Sequence, residues 1–334
     1  MKRFNPMRIC LLPVMGALLG CACSKSGKDV KEEADTAVTP PLQTASAGDI
    51  DRYRIYSPEM GDTVTIDVWT PEGYPGDDGH RYPVIYMHDG QNLFDASTTW
   101  NGQSWEMDSV VSELVAAGEI EAPVIIGIHS VAETRVGDLM PQKAKDYITS
   151  TPDSVLRDFL EKTPLRGDAY AAFIVNTLRP AMDAAYRLTA NADSTFVMGS
   201  SMGGLMSVYA MSEYPDVFGG AGCLSTHWVG TLDGDPTFAN AMYDYLSEHM
   251  PRDGRHRLYF DHGTESIDSL YGPANERVVA LARSLGYSER PADGTRPTLD
   301  NYVAEGAGHE ERFWAARVKR PLRFLLGKKQ AEGE

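Results

Sequence analysis

Hydrophobic positions from about residue 53 onward follow two alternating patterns. Segment 63–69 switches between polar and apolar residues at every position, which is typical of a strand with one buried face. Segments 82–87 and 123–128 are continuously apolar, as expected of strands buried on both faces of a parallel sheet. A helix ending near Gly118 is predicted between them, because apolar residues recur there at helical spacing: Trp105, Val110, Val111, Leu114 and Val115.

The same alternation continues to the end of the chain. Further strands are predicted over 194–198, 220–224, 257–261 and 302–304, and further helices over 152–161, 170–186, 202–213, 238–249, 275–285 and after 310. Pro180 should bend or divide the helix in which it lies, because proline has no N–H to donate. Repeated alternation of this kind predicts an α/β fold, with a mostly parallel sheet flanked by helices on both faces.

Composition and charge exclude several classes of function. The chain has 334 residues, with 31 Lys and Arg against 47 Asp and Glu, a formal net charge of −16. This acidic balance argues against nucleic acid as a partner, because phosphate contacts require clustered basic residues. No apolar run reaches the roughly 18–20 residues that span a bilayer. The length suits one large domain or two small ones.

The N-terminus has the pattern of an export signal. Three basic residues flank the start of the apolar stretch 9–19. The following LLGC segment resembles a bacterial lipobox, which implies cleavage before Cys21 and its acylation; an ordinary cleaved signal peptide is the alternative. An exported, periplasmic or outer-membrane-anchored lipoprotein is expected, which touches the membrane only through its lipid. The predicted organisation is a signal peptide over 1–20, a flexible polar tether over 21–49 and one globular domain over 50–330.

A nucleophile is predicted in the segment GSSMG at 199–203. The segment fits the G-x-S-x-G pattern and lies between a predicted strand and a predicted helix. That strand–turn–helix context is what a nucleophile elbow requires, with small residues around a serine in a strained turn. Ser201 occupies the nucleophile position.

A serine hydroxyl needs a base and an orienting acid. His309 follows the last predicted strand, in a glycine-flanked loop at the carboxyl edge of the sheet, and is the predicted base. The acid should follow the strand over 257–261, where Asp268 and Glu265 are the two candidates, while Asp261 is expected to be structural. The residues by themselves leave this choice open.

Acyl transfer also requires donors for the oxyanion of the tetrahedral intermediate. The backbone N–H of Met202, directly after the nucleophile, should be one donor. The backbone N–H of Gln91, in the loop after the strand over 82–87, should be the other. His88 and Asp89 are expected to shape that loop by hydrogen bonding, because no second His/Asp cluster has metal-ligand spacing. Neither a metal nor another cofactor is expected.

Four segments carry a resemblance to a known family. The chain from about residue 55 to 326 resembles the Putative esterase family of α/β-hydrolases, which includes enterochelin esterases, feruloyl and acetyl-xylan esterases, esterase D and mycolyl-transferase antigens. The matching segments are YMHDGQNLFD (86–95), GSSMGGLMSVYAMSEYPDVFGGAGCLSTHW (199–228), YFDHGTESIDSLY (259–271) and GAGHEERFW (306–314). The resemblance implies an α/β-hydrolase fold. No large lid is expected, because no long insertion separates the elbow from the acid.

The resemblance also bears on the acid. In relatives with feruloyl-esterase activity the acid stands just before a hydrophobic pair, after a Gly-Thr pair. Asp268 matches that position if two residues are inserted, whereas the ungapped alignment puts Ser266 there. Asp268 is therefore preferred to Glu265.

Three residues are candidates for contact with substrate. His227 and Trp228 follow the strand over 220–224, where the Trp ring could stack on a sugar or phenolic ring or simply pack in the core. Arg135 lies in a loop that resembles a pocket-lining segment of relatives, and could bind a substrate carboxylate or a nearby acid such as Asp138.

The expected protein is a secreted serine ester hydrolase. Its expected partner is a small-molecule or oligosaccharide ester, with feruloyl or acetyl esters of plant polysaccharide fragments preferred. The alternatives are a siderophore esterase of the enterochelin type, an acyltransferase with the same acyl-enzyme chemistry, and a binding lipoprotein that has lost turnover.

Overall fold

A computed structural model describes residues 41–77, 79–148, 154–232 and 234–328. The predictions for residues 1–20, for Cys21 and for the first part of the tether lie outside this range. Within it, no helix is long and apolar enough to cross a membrane.

One sheet of eight strands organises the described residues. The strands are β1 Asp49–Ser57, β2 Asp62–Thr70, β3 Val84–His88, β4 Val124–Ile128, β5 Thr195–Ser200, β6 Gly220–Leu224, β7 Arg257–Gly263 and β8 Leu299–Ala304. Their order across the sheet is β1-β2-β4-β3-β5-β6-β7-β8. The pairs β1/β2 and β2/β4 are antiparallel, and the remaining pairs are parallel. The predicted α/β fold with a mostly parallel sheet is confirmed.

Most helices connect consecutive strands, and the last two follow β8. They are α1 Met107–Ala116, α2 Arg135–Leu139, α3 Ser154–Lys162, α4 Gly167–Phe173, α5 Arg179–Ala185, α6 Met202–Glu213, α7 Thr237–His249, α8 Gly272–Ser284, α9 Glu311–Arg317 and α10 Lys319–Leu326. A π-helical turn, Ile174–Leu178, joins α4 to α5, whose second residue is Pro180. The helix predicted over 170–186 is therefore divided at its proline, which cannot donate to the carbonyl four residues earlier.

Side chains that alternate along the central strands build two hydrophobic layers. In β3, Ile85 and Met87 pack with residues of α1 and α10, whereas Val84 and Tyr86 pack with residues of α4 to α8 on the other face. Burying one such side chain contributes about 1.5–3 kcal/mol. Cys223 of β6 belongs to the second layer and is fully buried, which raises the pKa of its thiol.

The sequence pattern did not predict β1, and contacts with the domain begin before residue 50. β1 is an edge strand that pairs only with β2, and its charged residues conceal the strand alternation. The last residues assigned to the tether lie against the domain. Gln43 is 2% exposed and donates to Asp67 Oδ2 at 2.7 Å and to Gly90 O at 2.8 Å. The Ala47 carbonyl accepts a hydrogen bond from Trp69 Nε1 at 2.7 Å.

Candidate active site

Ser201 lies in a strained turn between β5 and α6. Its backbone has φ 57° and ψ −121°, a conformation that costs a non-glycine residue of order 1–3 kcal/mol. The turn is compact because a Cβ on Gly199 would lie only 3.0 Å from Gly203 Cα. The Ser201 N–H donates to Leu224 O at 3.0 Å, which ties the turn to the end of β6. This geometry presents the Ser201 side chain at the carboxyl edge of the sheet, where a nucleophile elbow requires it.

His309 and Asp268 form a hydrogen-bonded pair. His309 Nδ1 lies 2.5 Å from Asp268 Oδ1. The loop of the acid and the loop of the histidine are joined by the amides of Thr264 and Glu265, which both donate to Ala307 O at 3.0 Å. The Glu265 residue is exposed and has no side-chain hydrogen bond to His309 among the described residues. Of the two candidate acids, the structure brings Asp268 to the histidine.

The second oxygen of Asp268 is held by two donors. Oδ2 accepts from Ser225 Oγ at 2.5 Å and from the Gly263 N–H at 2.6 Å. Burial raises the pKa of Asp268, but the hydrogen bonds from His309, Ser225 and Gly263 outweigh it and hold this pKa below its ordinary value. The carboxylate therefore stays charged and fixed in orientation beside the histidine.

A buried network that the sequence did not predict supports this acid. Ser225 Oγ accepts from Trp314 Nε1 at 3.0 Å and from Arg317 Nη2 at 2.7 Å. The Arg317 guanidinium also forms two hydrogen bonds of 3.0 Å with Asp261, which is structural as expected. Ser225 could have been found as a polar residue directly after a buried strand. Nothing in the sequence indicates that the Arg317 side chain points inward.

Removing the Arg317 charge should destabilise the domain strongly. We expect Arg317→Met to lower the free energy of unfolding by about 3–5 kcal/mol, because it leaves Asp261 buried without its counter-ion. The matched control is Arg320→Met, since Arg320 pairs with Asp300 while its side chain is 44% exposed. That control should cost at most about 1 kcal/mol. Urea unfolding followed by circular dichroism measures both, and equal losses would contradict the expectation.

The two predicted oxyanion donors lie at the ends of adjacent elements. Met202 begins α6, and Gln91 is the middle residue of a short 3₁₀ turn that follows β3. Within the described residues, neither backbone N–H donates a hydrogen bond. The Gln91 side chain donates to Ser130 Oγ at 2.9 Å and accepts from the Ser130 N–H at 3.1 Å, which fixes the turn. Both amides are thus available for an oxyanion.

The loop after β3 is organised by buried polar contacts. Asp89 adopts φ 56° and accepts two hydrogen bonds from Arg135, at 2.7 and 2.8 Å. His88 Nδ1 lies 2.9 Å from Tyr170 Oη, and burial lowers the pKa of His88 to about 4. No group of three or more potential ligands among the described residues is arranged to hold a metal ion.

Arg135 does not pair with Asp138, which is held by Arg166 at 2.7 and 3.0 Å instead. Its two hydrogen bonds to Asp89 neutralise the guanidinium, although its side chain keeps 29% exposure. This leaves it poorly suited to bind a substrate carboxylate as a free cation. Arg135 pairs with Asp89 because Asp89, in its left-handed conformation, turns its carboxylate toward α2, the helix that begins at Arg135.

Protein contacts occupy both His227 and Trp228. Trp228 is 1% exposed, packs on Phe260 with ring centroids 5.8 Å apart, and has no face open to substrate. Both nitrogens of His227 have protein partners: Nδ1 lies 2.7 Å from Tyr271 Oη, and Nε2 lies 3.3 Å from Gly230 O. The Trp228 ring is therefore part of the core, and the His227 nitrogens are engaged by the protein.

Comparison with known proteins gives the family. The model of the family described as Putative esterase matches residues 57–324. The uncharacterized protein YbbA of Bacillus subtilis (strain 168) is 23% identical over 265 residues, which cover 79% of this chain and 93% of YbbA.

Solved structures show the same fold at low identity. A ferulic acid esterase superposes with a TM-score of 0.60 at 16% identity, covering 84% of this chain and 98% of that one. The enterobactin esterase FES from Shigella flexneri superposes with a TM-score of 0.61 at 16% identity, covering 85% of this chain and 60% of FES. The family match covers most of the chain. This chain therefore belongs to the Putative esterase family, and it is an esterase.

Proposed function

We propose that the protein is a serine ester hydrolase in which Ser201, His309 and Asp268 form the catalytic triad. The observation that carries this proposal is the 2.5 Å contact between His309 Nδ1 and Asp268 Oδ1 at the sheet edge where Ser201 occupies a positive-φ elbow. Because Asp268 occupies Nδ1, the nitrogen that remains to act on Ser201 is Nε2.

The mechanism proceeds through an acyl-enzyme. His309 Nε2 takes the proton of Ser201 Oγ as this oxygen bonds to the ester carbonyl carbon. The carbonyl oxygen becomes an oxyanion, which accepts hydrogen bonds from the Met202 and Gln91 amides. The intermediate collapses, the proton passes from His309 to the departing alcohol, and the acyl group stays on Ser201. Water then repeats the sequence and releases the carboxylic acid.

The test uses the domain from residue 24 onward with p-nitrophenyl acetate and with diethyl p-nitrophenyl phosphate. The ester should be hydrolysed, and the phosphate triester should inactivate the protein by phosphorylating a single serine. Peptide mass mapping should place that adduct on Ser201. An adduct on another residue, or hydrolysis that survives full phosphorylation of Ser201, would overturn the assignment.

For the substrate, we favour feruloyl or acetyl esters of plant polysaccharide fragments. This chain covers 98% of the ferulic acid esterase but only 60% of the enterobactin esterase FES, so a large portion of FES lies outside the match. The expected export of the chain also suits the breakdown of an external polymer. Hydrolysis of a tri-catecholate lactone is the second candidate.

A panel of methyl ferulate, acetylated xylo-oligosaccharides and a tri-catecholate trilactone separates these substrates. The largest kcat/KM should belong to one of the first two, and a clear preference for the trilactone would select the siderophore esterase.

Adding a sugar acceptor tests the acyltransferase alternative. An unchanged yield of free acid in its presence would exclude transfer.

We also propose that the protein is a lipoprotein anchored through Cys21, followed by a polar tether. The support is the basic and apolar pattern of the first twenty residues and the LLGC segment. In a bacterial host, the full chain should fractionate with membranes and Cys21→Ser should not. Identical fractionation of the two would reject the anchor.

A further inference from the structure

Trp100 is the one exposed tryptophan of this protein. The chain has five tryptophans, and four of them are at most 6% exposed: Trp69, Trp105, Trp228 and Trp314. Trp100 is 83% exposed. A single exposed apolar side chain is common at a protein surface, so its meaning depends on where its loop lies and how the loop is held.

The Trp100 loop, residues 95–105 between β3 and α1, is fixed at both ends. At its start, the Asp95 carboxylate accepts four hydrogen bonds of 2.6–3.0 Å. At its end, Trp105 is buried and its N–H donates to Asn92 O at 2.9 Å. The fold therefore holds the backbone around Trp100 without burying the Trp100 ring.

The middle of the Trp100 loop is bound to the segment that directly follows His309. Asn101 Nδ2 donates to Glu311 Oε2 at 2.6 Å, and Glu311 is only 5% exposed. Gln103 Oε1 accepts from the Arg312 N–H at 3.1 Å. These contacts place the loop against the start of α9, two residues from the proposed catalytic base.

This side of the site belongs to the alcohol portion of an ester. In the proposed mechanism His309 Nε2 gives its proton to the departing alcohol oxygen, which must therefore lie within hydrogen-bond reach of the imidazole. The acyl carbon is bonded to Ser201, and its oxygen faces the Met202 and Gln91 amides. A long alcohol portion therefore extends past His309, where the Trp100 loop is bound.

The composition of the loop indicates which kind of alcohol fits. Segment 96–104 reads ASTTWNGQS, in which every residue except the tryptophan is small or carries a neutral hydroxyl or amide. A sugar ring has C–H groups on its face and hydroxyls around its rim. It can pack its face on an indole ring while neutral polar side chains exchange hydrogen bonds with its rim. A lipid alcohol would require further apolar side chains in the loop.

We propose that Trp100 binds a sugar ring in the alcohol portion of the substrate. This inference deepens the proposed function and rests on it. It assigns the Trp100 loop to selection of the alcohol, and it leaves selection of the acyl group to other residues. Esters of one acid with a saccharide and with methanol should therefore differ in their dependence on Trp100.

The test is Trp100→Ala, measured with methyl ferulate and with ferulate esterified to an arabinose-substituted xylo-oligosaccharide. Both esters form the same feruloyl-enzyme, so effects on its hydrolysis cancel in the comparison. For the saccharide ester kcat/KM should fall about tenfold, the loss of one aromatic stacking contact. For methyl ferulate it should stay within about twofold of the parent. For acetyl esters, methyl acetate and acetylated xylotriose form the matched pair, with the same expectation.

Two further variants serve as controls. Tyr56→Ala removes the other exposed aromatic side chain, which is 62% exposed on the edge strand β1, and should leave both esters unchanged. Trp100→Tyr keeps an aromatic face and should retain most of the saccharide rate. Equal losses of Trp100→Ala on both esters, a loss on methyl ferulate alone, or no loss on either would overturn the inference. Hydrolysis of the methyl esters without hydrolysis of the saccharide esters by the parent would also overturn it.

Binding can be followed separately from turnover in Ser201→Ala. Since the other four tryptophans are buried, quenching of native tryptophan fluorescence by acrylamide reports mainly on Trp100. Acetylated xylotriose should reduce this quenching, and methyl acetate should not. Unchanged quenching at saccharide concentrations above the parental KM would contradict the inference. Failure of the proposed function looks different, because the parent would then hydrolyse neither ester and would take up no diethyl phosphoryl group on Ser201.

Discussion

Replacing Ser201 by alanine should abolish ester hydrolysis, lowering kcat by about six orders of magnitude, the loss found when a triad serine is removed. The alanine variant has no oxygen to form the acyl-enzyme, and the oxyanion donors alone support little turnover. Initial rates with p-nitrophenyl acetate measure the effect in the domain that starts at residue 24, with the uncatalysed rate subtracted.

The chain offers a matched control for this variant in the preceding residue. Ser200 is the last residue of β5 and is 5% exposed, so Ser200→Ala removes a buried serine hydroxyl one position from the elbow. It should retain most of the parental rate. Equal activity of Ser201→Ala and the parent would mean that another residue is the nucleophile, whereas loss in both variants would point to disruption of the turn.

Replacing Asp268 by asparagine should lower kcat by about four orders of magnitude, as in triads where the acid becomes an amide. The carboxylate accepts from His309 Nδ1–H and stabilises the imidazolium formed during acylation. An asparagine whose amide group faces Nδ1 favours the other tautomer, in which Nε2 carries a proton and cannot act as a base. Steady-state rates at several pH values measure the loss.

Glu265→Gln is the control for this experiment. Glu265 is exposed at the start of the turn that leads to Asp268, so the variant removes a nearby negative charge without touching the pair. Its rate should stay within about twofold of the parent, the range of a surface charge change. A large loss in Glu265→Gln with little loss in Asp268→Asn would reverse the assignment of the acid. Thermal unfolding of both variants separates a catalytic loss from a loss of folded protein.

The central part of the fold was predictable because burial leaves a direct signature in the sequence. β3 and β4 are continuously apolar since both of their faces are covered, and α6 was predicted over the same residues that it occupies. The edge strand β1 was missed because its charged residues conceal the strand alternation. The hydrophobic pattern of a segment indicates how its side chains are buried, and it is weak in a strand whose side chains are largely exposed.

The candidate site was also predictable only in part. Ser201 and His309 were predicted as site residues from their place after strands, because parallel strands bring their carboxyl ends to one edge of the sheet. The sequence left the acid open between Asp268 and Glu265, and the contacts of Ser225 and Gly263 decide which carboxylate turns inward. The sequence left Trp228 open between substrate and core, because chain order does not say whether a side chain after a strand faces the cleft or the core, and the structure places it in the core.

The buried thiol of Cys223 can be used to measure how often the folded domain opens transiently. Past residue 23 the chain contains no other cysteine, and this thiol is completely covered at the centre of the sheet. A thiol reagent can reach it only when β6 separates from its neighbours, so the rate of labelling under native conditions measures how often the sheet opens. The unlabelled fraction after a fixed time thus compares the native-state opening of any two variants without denaturant.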